Sequence, residues 1–264
     1  MTQAEKAAAF RALHEGEPFV IPNPWDAGSA KVLESLGFRA LATTSSGFAF
    51  TLGRADGDVT LDEVVEHTRV LDAATSLPVS VDLENGYEPG PAEAIRRAAA
   101  AGAVGGSIED YSGAAIYPVD EAVERVALAC EATRALDFPF TLTARTENHI
   151  RGNPDLDDTI ARLTAYERAG ADVLYAPGLR SADEIRAVCE AVARPVNVLA
   201  HPGLSLDAIV AAGAQRVSVG GALAWVAGAA LASAATAIRD RGDFSALKVP
   251  VRVDERVSRA ARPR

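Results

Sequence analysis

Residues 98–108 read AAAAGAVGGSI: alanines that favour a helix, Gly102 where the helix would stop, then a small apolar run that enters a strand at once. The same plan recurs at 34–41 (ESLGFRAL), 166–175 (YERAGADVLY) and 211–219 (AAGAQRVSV), with Gly37, Gly170 and Gly213 in the position of Gly102. Glycine ends a helix well because it enters the left-handed region without a Cβ clash. An apolar run directly behind it suits a strand buried on both faces. Outward from these four units the chain alternates throughout between short strand-like runs and longer Ala/Leu/Glu/Arg stretches. The runs are Phe19–Pro22, Ala40–Thr44, Val79–Leu83, Gly106–Glu109, Phe140–Arg145, Val173–Ala176, Val196–Ala200 and Arg216–Val219. Eight βα units can close a parallel sheet, so the chain reads as one α/β domain over 1–264, a TIM-type (β/α)8 barrel. Its core would span about 18–240, with 241–264 as a C-terminal tail. Thr60 with Glu63 forms a helix-capping pattern, and Pro91 fits a first helical position.

Composition narrows the function. The chain has 264 residues, 48% hydrophobic and 23% charged, as an ordinary globular protein does. Its net charge of -10 repels polyanions, so nucleic acid is not an expected partner. Lys6, Lys31 and Lys248 are the only lysines and none ends a run, which excludes a Schiff-base aldolase. Cys130 and Cys189 have no metal-site spacing and read as inert buried thiols of a reducing compartment. The first residues lack a secretory pattern, and a cytoplasmic location is expected. Residues 217–238 carry no charge, but their Ala, Gly and Ser content reads as a buried strand and a close-packed helix rather than a membrane span.

Polar residues gather at the C-terminal ends of the runs, the rim where barrel enzymes keep their sites. Asn23, Trp25 and Asp26 follow the first run; Thr44, Ser45 and Ser46 the second; Asp82 and Glu84 the third; Glu109 and Asp110 the fourth; Arg145 and Glu147 the fifth. Asp82 and Glu84, two apart, would share a face, with Glu109 roughly 5 Å away on the next strand. One such acid could be a helix cap or a solvated rim group. Three together repel unless a cation lies among them, and an all-oxygen set suits Mg²⁺, or Mn²⁺, better than zinc. Arg145 has the planar fork that binds a carboxylate, the plainer alternative being a structural pair with Glu147. Ser46-Gly47 can turn backbone N–H groups toward an anion.

The segments NPWDAGSA, TTSSG, LGRADG, VDLENGYEPG, SIED and ARTE, in this order and spacing, resemble the isocitrate lyase and phosphoenolpyruvate mutase superfamily from about Phe19 to Ala230. The resemblance implies a barrel whose last helix is exchanged with a neighbouring subunit, in a homodimer or homotetramer. It also implies a Mg²⁺-dependent enzyme that makes or breaks a C–C or P–C bond in a small α-keto or 2-hydroxy acid through a pyruvate enolate. On this likeness Asp82, Glu84 and Glu109 would hold the metal directly or through water, Asp56 would orient the metal shell, and Arg145 would take the substrate carboxylate. Ser45, Ser46 and Gly47 would meet its oxygens, and Trp25 would wall the site.

The chain departs from the family after the fourth run. Lyases there carry a Lys-x-Cys-Gly-His type motif, and mutases and hydrolases Lys and Asn, where this sequence reads EDYSGAAIYPVDEA. Tyr111, Ser112 and Tyr117 are the polar groups left, and Tyr111 is the candidate proton donor. Asn197, on the seventh run, and His201, behind it, complete the substrate-facing set, although a structural histidine is the commoner account of His201. Three readings stay open: the lyase, a phosphate-gripping barrel using SVGGALA at 218–224, and a barrel that binds metal and keto acid without turnover.

Overall fold

The computed structural model describes residues 1–248 and 251–260. In chain order the elements are α1 (Gln3–Leu13), β1 (Phe19–Ile21), α2 (Ala27–Ser35), β2 (Leu41–Ala42), α3 (Ser45–Thr51), α4 (Leu61–Ala74), β3 (Val79–Asp82), α5 (Pro91–Ala100) and β4 (Gly105–Glu109). Then follow α6 (Val119–Arg134), β5 (Thr141–Arg145), α7 (Leu156–Ala169), β6 (Val173–Tyr175), α8 (Ala182–Ala191), β7 (Val196–Leu199), α9 (Leu206–Ala211), β8 (Arg216–Ser218), α10 (Ala222–Arg241) and α11 (Val253–Ala260). All eight runs form strands, every ladder is parallel, and the order is β1-β8-β7-β6-β5-β4-β3-β2. Gly37, Gly102, Gly170 and Gly213 have φ of +89°, +107°, +109° and +105°, as helix-ending glycines should. The Thr60–Glu63 capping box and Pro91 at a helix start are also present.

The barrel closes between β1 and β2 without a full ladder. Ala42 N–H donates to the Pro22 carbonyl (3.1 Å), and Asn23 Nδ2 donates to the Thr43 carbonyl (2.9 Å). Asn23 Oδ1 accepts from the N–H groups of Val219 (3.0 Å) and Gly220 (2.9 Å), so one buried amide ties β1, β2 and the end of β8 together. Those two amides are therefore committed, which removes two of the donors that a phosphate grip at 218–224 would use.

α1, which the repeats do not announce, covers the N-terminal mouth. Its Phe10 is fully buried, and a Cβ on Gly105 would stand 2.6 Å from Phe10 Cε1. Above it Arg216 crosses the lumen, donating to Asn197 Oδ1 (2.8 Å) and Thr143 Oγ1 (2.9 Å) and meeting His14 Nε2 (3.2 Å). Burial pushes His14 down to about 3, so the ring is neutral and its Nε2 can accept while Nδ1 donates to the Phe10 carbonyl (2.9 Å). Burial also lowers Arg216 to about 10.

One expectation for the C-terminal part needs correction. β8 is buried, but the helix behind it is not close-packed in this chain. α10 is the one helix among the described residues long and apolar enough to cross a membrane, and its Trp225, Val226 and Leu231 are 52%, 65% and 68% exposed. It meets its own barrel at α3, where Trp225 lies edge-on to Phe50 (5.2 Å). Composition indicates that such a helix needs a packed neighbour; it does not say which chain supplies one. Within the expected tail, 253–260 form α11, which packs along α2. Residues 249–250 and 261–264 of that stretch lie outside the described residues.

Candidate active site

Asp82, Glu109 and Arg145 end β3, β4 and β5, and Glu109 and Arg145 are direct ladder partners. The parallel strands thus deliver two acids and a guanidinium to one rim. Glu84 reaches the rim differently from the expected shared strand face. β3 ends at Asp82, Leu83 is fully buried, and Glu84 has a left-handed backbone (φ +47°). A non-glycine residue pays for that conformation, and Tyr87 in the same turn does so too (φ +60°). The two strained residues meet: Tyr87 Oη donates to Glu84 Oε1 (3.2 Å).

Arg145 holds the acids together. Its Nε donates to Glu147 and stands 3.6 Å from Glu109 Oε2, while Nη1 is 3.8 Å from Asp82 Oδ2. The Tyr175 ring lies 5.3 Å from the guanidinium carbon. Burial alone would lower Arg145, but Glu109 and Glu147 outweigh it and hold the arginine well above its usual range. Glu84 is pushed up to about 7, first by burial and then by the Asp82 charge. Glu109 is also pushed well up, by burial that Arg145 only partly offsets and by the neighbouring acids. Asp82 Oδ1 accepts from Ser107 Oγ and from the Glu84 N–H, both at 3.3 Å, and Oδ2 faces the Ser45 N–H at 3.5 Å.

Among the described residues no three acid, histidine or cysteine side chains stand at ready-made ligating spacing. The donor chemistry nevertheless fits a hard divalent cation. Three carboxylates share one rim, two of them are driven toward protonation by burial and mutual repulsion, and a cation among them would relieve both effects.

Two connected cavities lie over and inside the barrel end. The inner one, about 190 Å³, is lined by Ser45, Ser46, Asp82, Arg145, Asn197 and Arg216, among others. The outer one, about 670 Å³, is walled by Glu84, Glu109, Tyr111, Tyr117, Arg145 and Arg151, among others, and Ser45, Asp56 and Arg145 border both. Ser45 and Ser46 open α3, whose start is capped by Thr44 Oγ1 accepting from Gly47 N–H (3.4 Å). Gly47 itself is buried beneath: a Cβ there would fall 2.6 Å from Thr44 Cγ2 and 3.2 Å from Trp25 Cβ.

The remaining expected residues divide. Asp56 and Asn197 line the cavities, but Asn197 is committed to Arg216 and, through Nδ2, to Ser218 Oγ (3.0 Å). Tyr111 borders the outer cavity, with its hydroxyl donating to the Gly113 carbonyl (2.9 Å). Trp25 lines neither cavity; it backs Gly47, and its carbonyl meets His67 Nε2 (3.0 Å). His201 is exposed, its Nδ1 accepting from Gly203 N–H (3.1 Å), and borders neither cavity. Cys130 is buried and Cys189 half-buried, and burial pushes both thiols up to about 11.

Three site features were not foreseen. Tyr87 is the phenol against the acid cluster, and its place beside Gly86 in the Glu84 turn was the available signal. Asp110 is a buried anchor, accepting from Glu147 N–H (2.8 Å), Arg162 Nη1 (3.2 Å) and Tyr166 Oη (2.6 Å). Arg151 shares Glu147 with Arg145, its Nε 2.9 Å from Glu147 Oε2.

Comparison with known proteins identifies the family of the chain. The family model described as phosphoenolpyruvate phosphomutase matches residues 10–239. An oxaloacetate decarboxylase of Rhodopseudomonas palustris (strain HaA2) is 32% identical over 83% of this chain and 78% of its own length. A crystal structure from Burkholderia cenocepacia J2315, described only as a lyase/mutase, is 54% identical, covers 99% of this chain and 97% of its own, and superposes with a TM-score of 0.94. Oxaloacetate acetylhydrolase with bound oxalate is 26% identical over 97% of this chain and 95% of its own, with a TM-score of 0.86. The chain belongs to the phosphoenolpyruvate mutase and isocitrate lyase superfamily.

Proposed function

We propose that this protein is a Mg²⁺-dependent lyase that cleaves a C–C bond in a small 2-oxo or 2-hydroxy carboxylic acid and releases pyruvate. Pyruvate forms through its enolate when CO₂ leaves a 3-carboxy-2-oxo acid, and directly as the oxo fragment when the C2–C3 bond of a 2-methyl-2-hydroxy acid breaks and the other fragment departs as the enolate. The observation that carries this reading is the rim itself, where Arg145 lies among Asp82, Glu109 and Glu147 beside the Ser45–Ser46 wall. Asp82, Glu84 and Glu109 would hold the metal, directly or through water. When bound, it would supply Lewis-acid stabilisation of negative charge on the substrate oxygens. Arg145 binds the carboxylate through the fork edge left free by Glu147, and Ser45 and Ser46 offer hydroxyls to the same oxo-acid. Asp56 borders both cavities and contributes charge to the metal shell.

Two features of one segment bear on P–C against C–C chemistry. The 110–118 segment folds on itself through the Tyr111–Ile116 bridge and the Ser112 hydroxyl, and it carries no lysine, cysteine or histidine. That favours a cleavage needing little help from a lid, such as loss of CO₂ from a 3-carboxy-2-oxo acid, over phosphonate transfer. The same segment motivates a second reading, a barrel that binds metal and keto acid without turnover.

Purified protein with Mg²⁺ should release pyruvate from oxaloacetate or a malate methylated at C2, and EDTA should stop it. Phosphate release from phosphonopyruvate alone would favour P–C chemistry, and binding without turnover across the panel would favour the second reading. We further propose that α10 is covered by a second copy of the chain, in a homodimer or higher oligomer, as its exposed apolar side chains require a neighbour.

A further inference from the structure

The outer cavity, about 670 Å³, is much larger than a two- or three-carbon acid fills. Its walls are strongly acidic, with Asp56, Asp58, Glu84, Glu88 and Glu109, and among the described residues its only cations are Arg145 and Arg151. Arg145 is engaged by the acid cluster and, in the reading above, by the oxo-acid carboxylate. Arg151 is differently placed. Its Nε donates to Glu147 Oε2 (2.9 Å), and its guanidinium lies over the Tyr111 ring, 4.0 Å from the centroid. No acceptor among the described residues meets its terminal nitrogens, and its side chain is 36% exposed.

This arginine is held in place. Glu147 is fully buried, its two oxygens are divided between Arg145 and Arg151, and its backbone N–H is fixed by Asp110 Oδ1. Asp110 is fixed in turn by Arg162 and Tyr166 of α7. A guanidinium clamped at Nε and stacked on an aromatic ring presents its other edge with little freedom left to lose on binding, which favours affinity. An anionic group entering this cavity would be repelled by most of the wall and attracted at that edge.

We propose that Arg151 is the specificity-determining residue for the dicarboxylic substrate class of the reading above, binding the second carboxylate at the end of the molecule remote from the 2-oxo acid group. The assignment rests on the reading of the rim as a Mg²⁺ and oxo-acid site.

The test is calorimetric titration of the full chain with Mg²⁺ using two probes. Oxalate fills only the oxo-acid position, whereas 3,3-difluorooxaloacetate adds the remote carboxylate. In Arg151→Gln, oxalate affinity should stay within two-fold, while affinity for the fluorinated acid should fall roughly ten-fold or more, as for loss of a charge-assisted hydrogen bond. Arg151→Lys should fall between the two. Equal weakening of both probes would mean that Arg151 merely supports Glu147 and Arg145, and unchanged binding of both would place the second carboxylate elsewhere; either result overturns the proposal. Wild type that binds neither probe with Mg²⁺ would defeat the oxo-acid reading itself, and this proposal with it. A thermal melt of each variant checks that the barrel is intact.

Discussion

Replacing Glu84 with Gln should stabilise the metal-free protein, and only above acid pH. Burial and the Asp82 charge raise Glu84 from the ordinary 4.5 to about 7. A carboxyl that holds its proton more tightly in the folded state adds stability that is present below the unfolded value and is lost as pH rises toward the folded one. The window is therefore pH 4.5 to 7, and stability should fall across it. At ~1.36 kcal/mol per pH unit the displacement corresponds to ~3 kcal/mol. Because Glu84 is only half-buried, solvent screening reduces this to ~2 kcal/mol. Gln keeps the shape and an oxygen for Tyr87 Oη but carries no charge. Urea unfolding in EDTA at pH 5 and pH 8 should show the wild type losing stability between the two relative to Glu84→Gln. Mg²⁺ should close the gap at pH 8 by neutralising the cluster, and at pH 6 its binding should release roughly one proton from Glu84. A gap that does not depend on pH, or that grows toward acid, would refute the crowding of acids on this rim.

Asp82→Ala should abolish Mg²⁺-dependent turnover while the barrel and the mass in solution stay unchanged, as measured by pyruvate release and light scattering. Asn23→Ala should cost about 2 kcal/mol in chemical denaturation, since it leaves two backbone N–H groups and the Thr43 carbonyl short of partners at the β1–β2 closure. Leu231→Glu should shift the light-scattering mass toward that of one chain, because a charge on the exposed apolar helix opposes its burial against a second copy; an unchanged mass would remove α10 from the interface.

The repeating unit made the barrel legible. Each of Gly37, Gly102, Gly170 and Gly213 marks a local event, a helix end followed by a strand, and the sequence states local events directly. Asp82, Glu109 and Arg145 were legible for the same reason, as strand-end exceptions to an apolar rule. Glu84 was placed on the rim by an alternation that in fact stops at Asp82; a left-handed turn brings it there. Long-range consequences of closure were not legible. Asn23 as the staple, Arg216 reaching His14 and Thr143 across the lumen, and Asp110 anchored by Arg162 and Tyr166 all join residues remote in sequence. His201 and Trp25 show the converse: each follows a strand as a rim residue should, yet His201 turns to Gly203 and Trp25 backs Gly47, and neither lines the cavities.

The most direct experiment is a crystal structure of the protein with Mg²⁺ and oxalate. The ion should lie among the carboxylates of Asp82, Glu84 and Glu109, with oxalate on it and one oxalate carboxylate facing Arg145. Oxalate bound elsewhere, or these acids turned to solvent with no ion between them, would contradict the proposed chemistry.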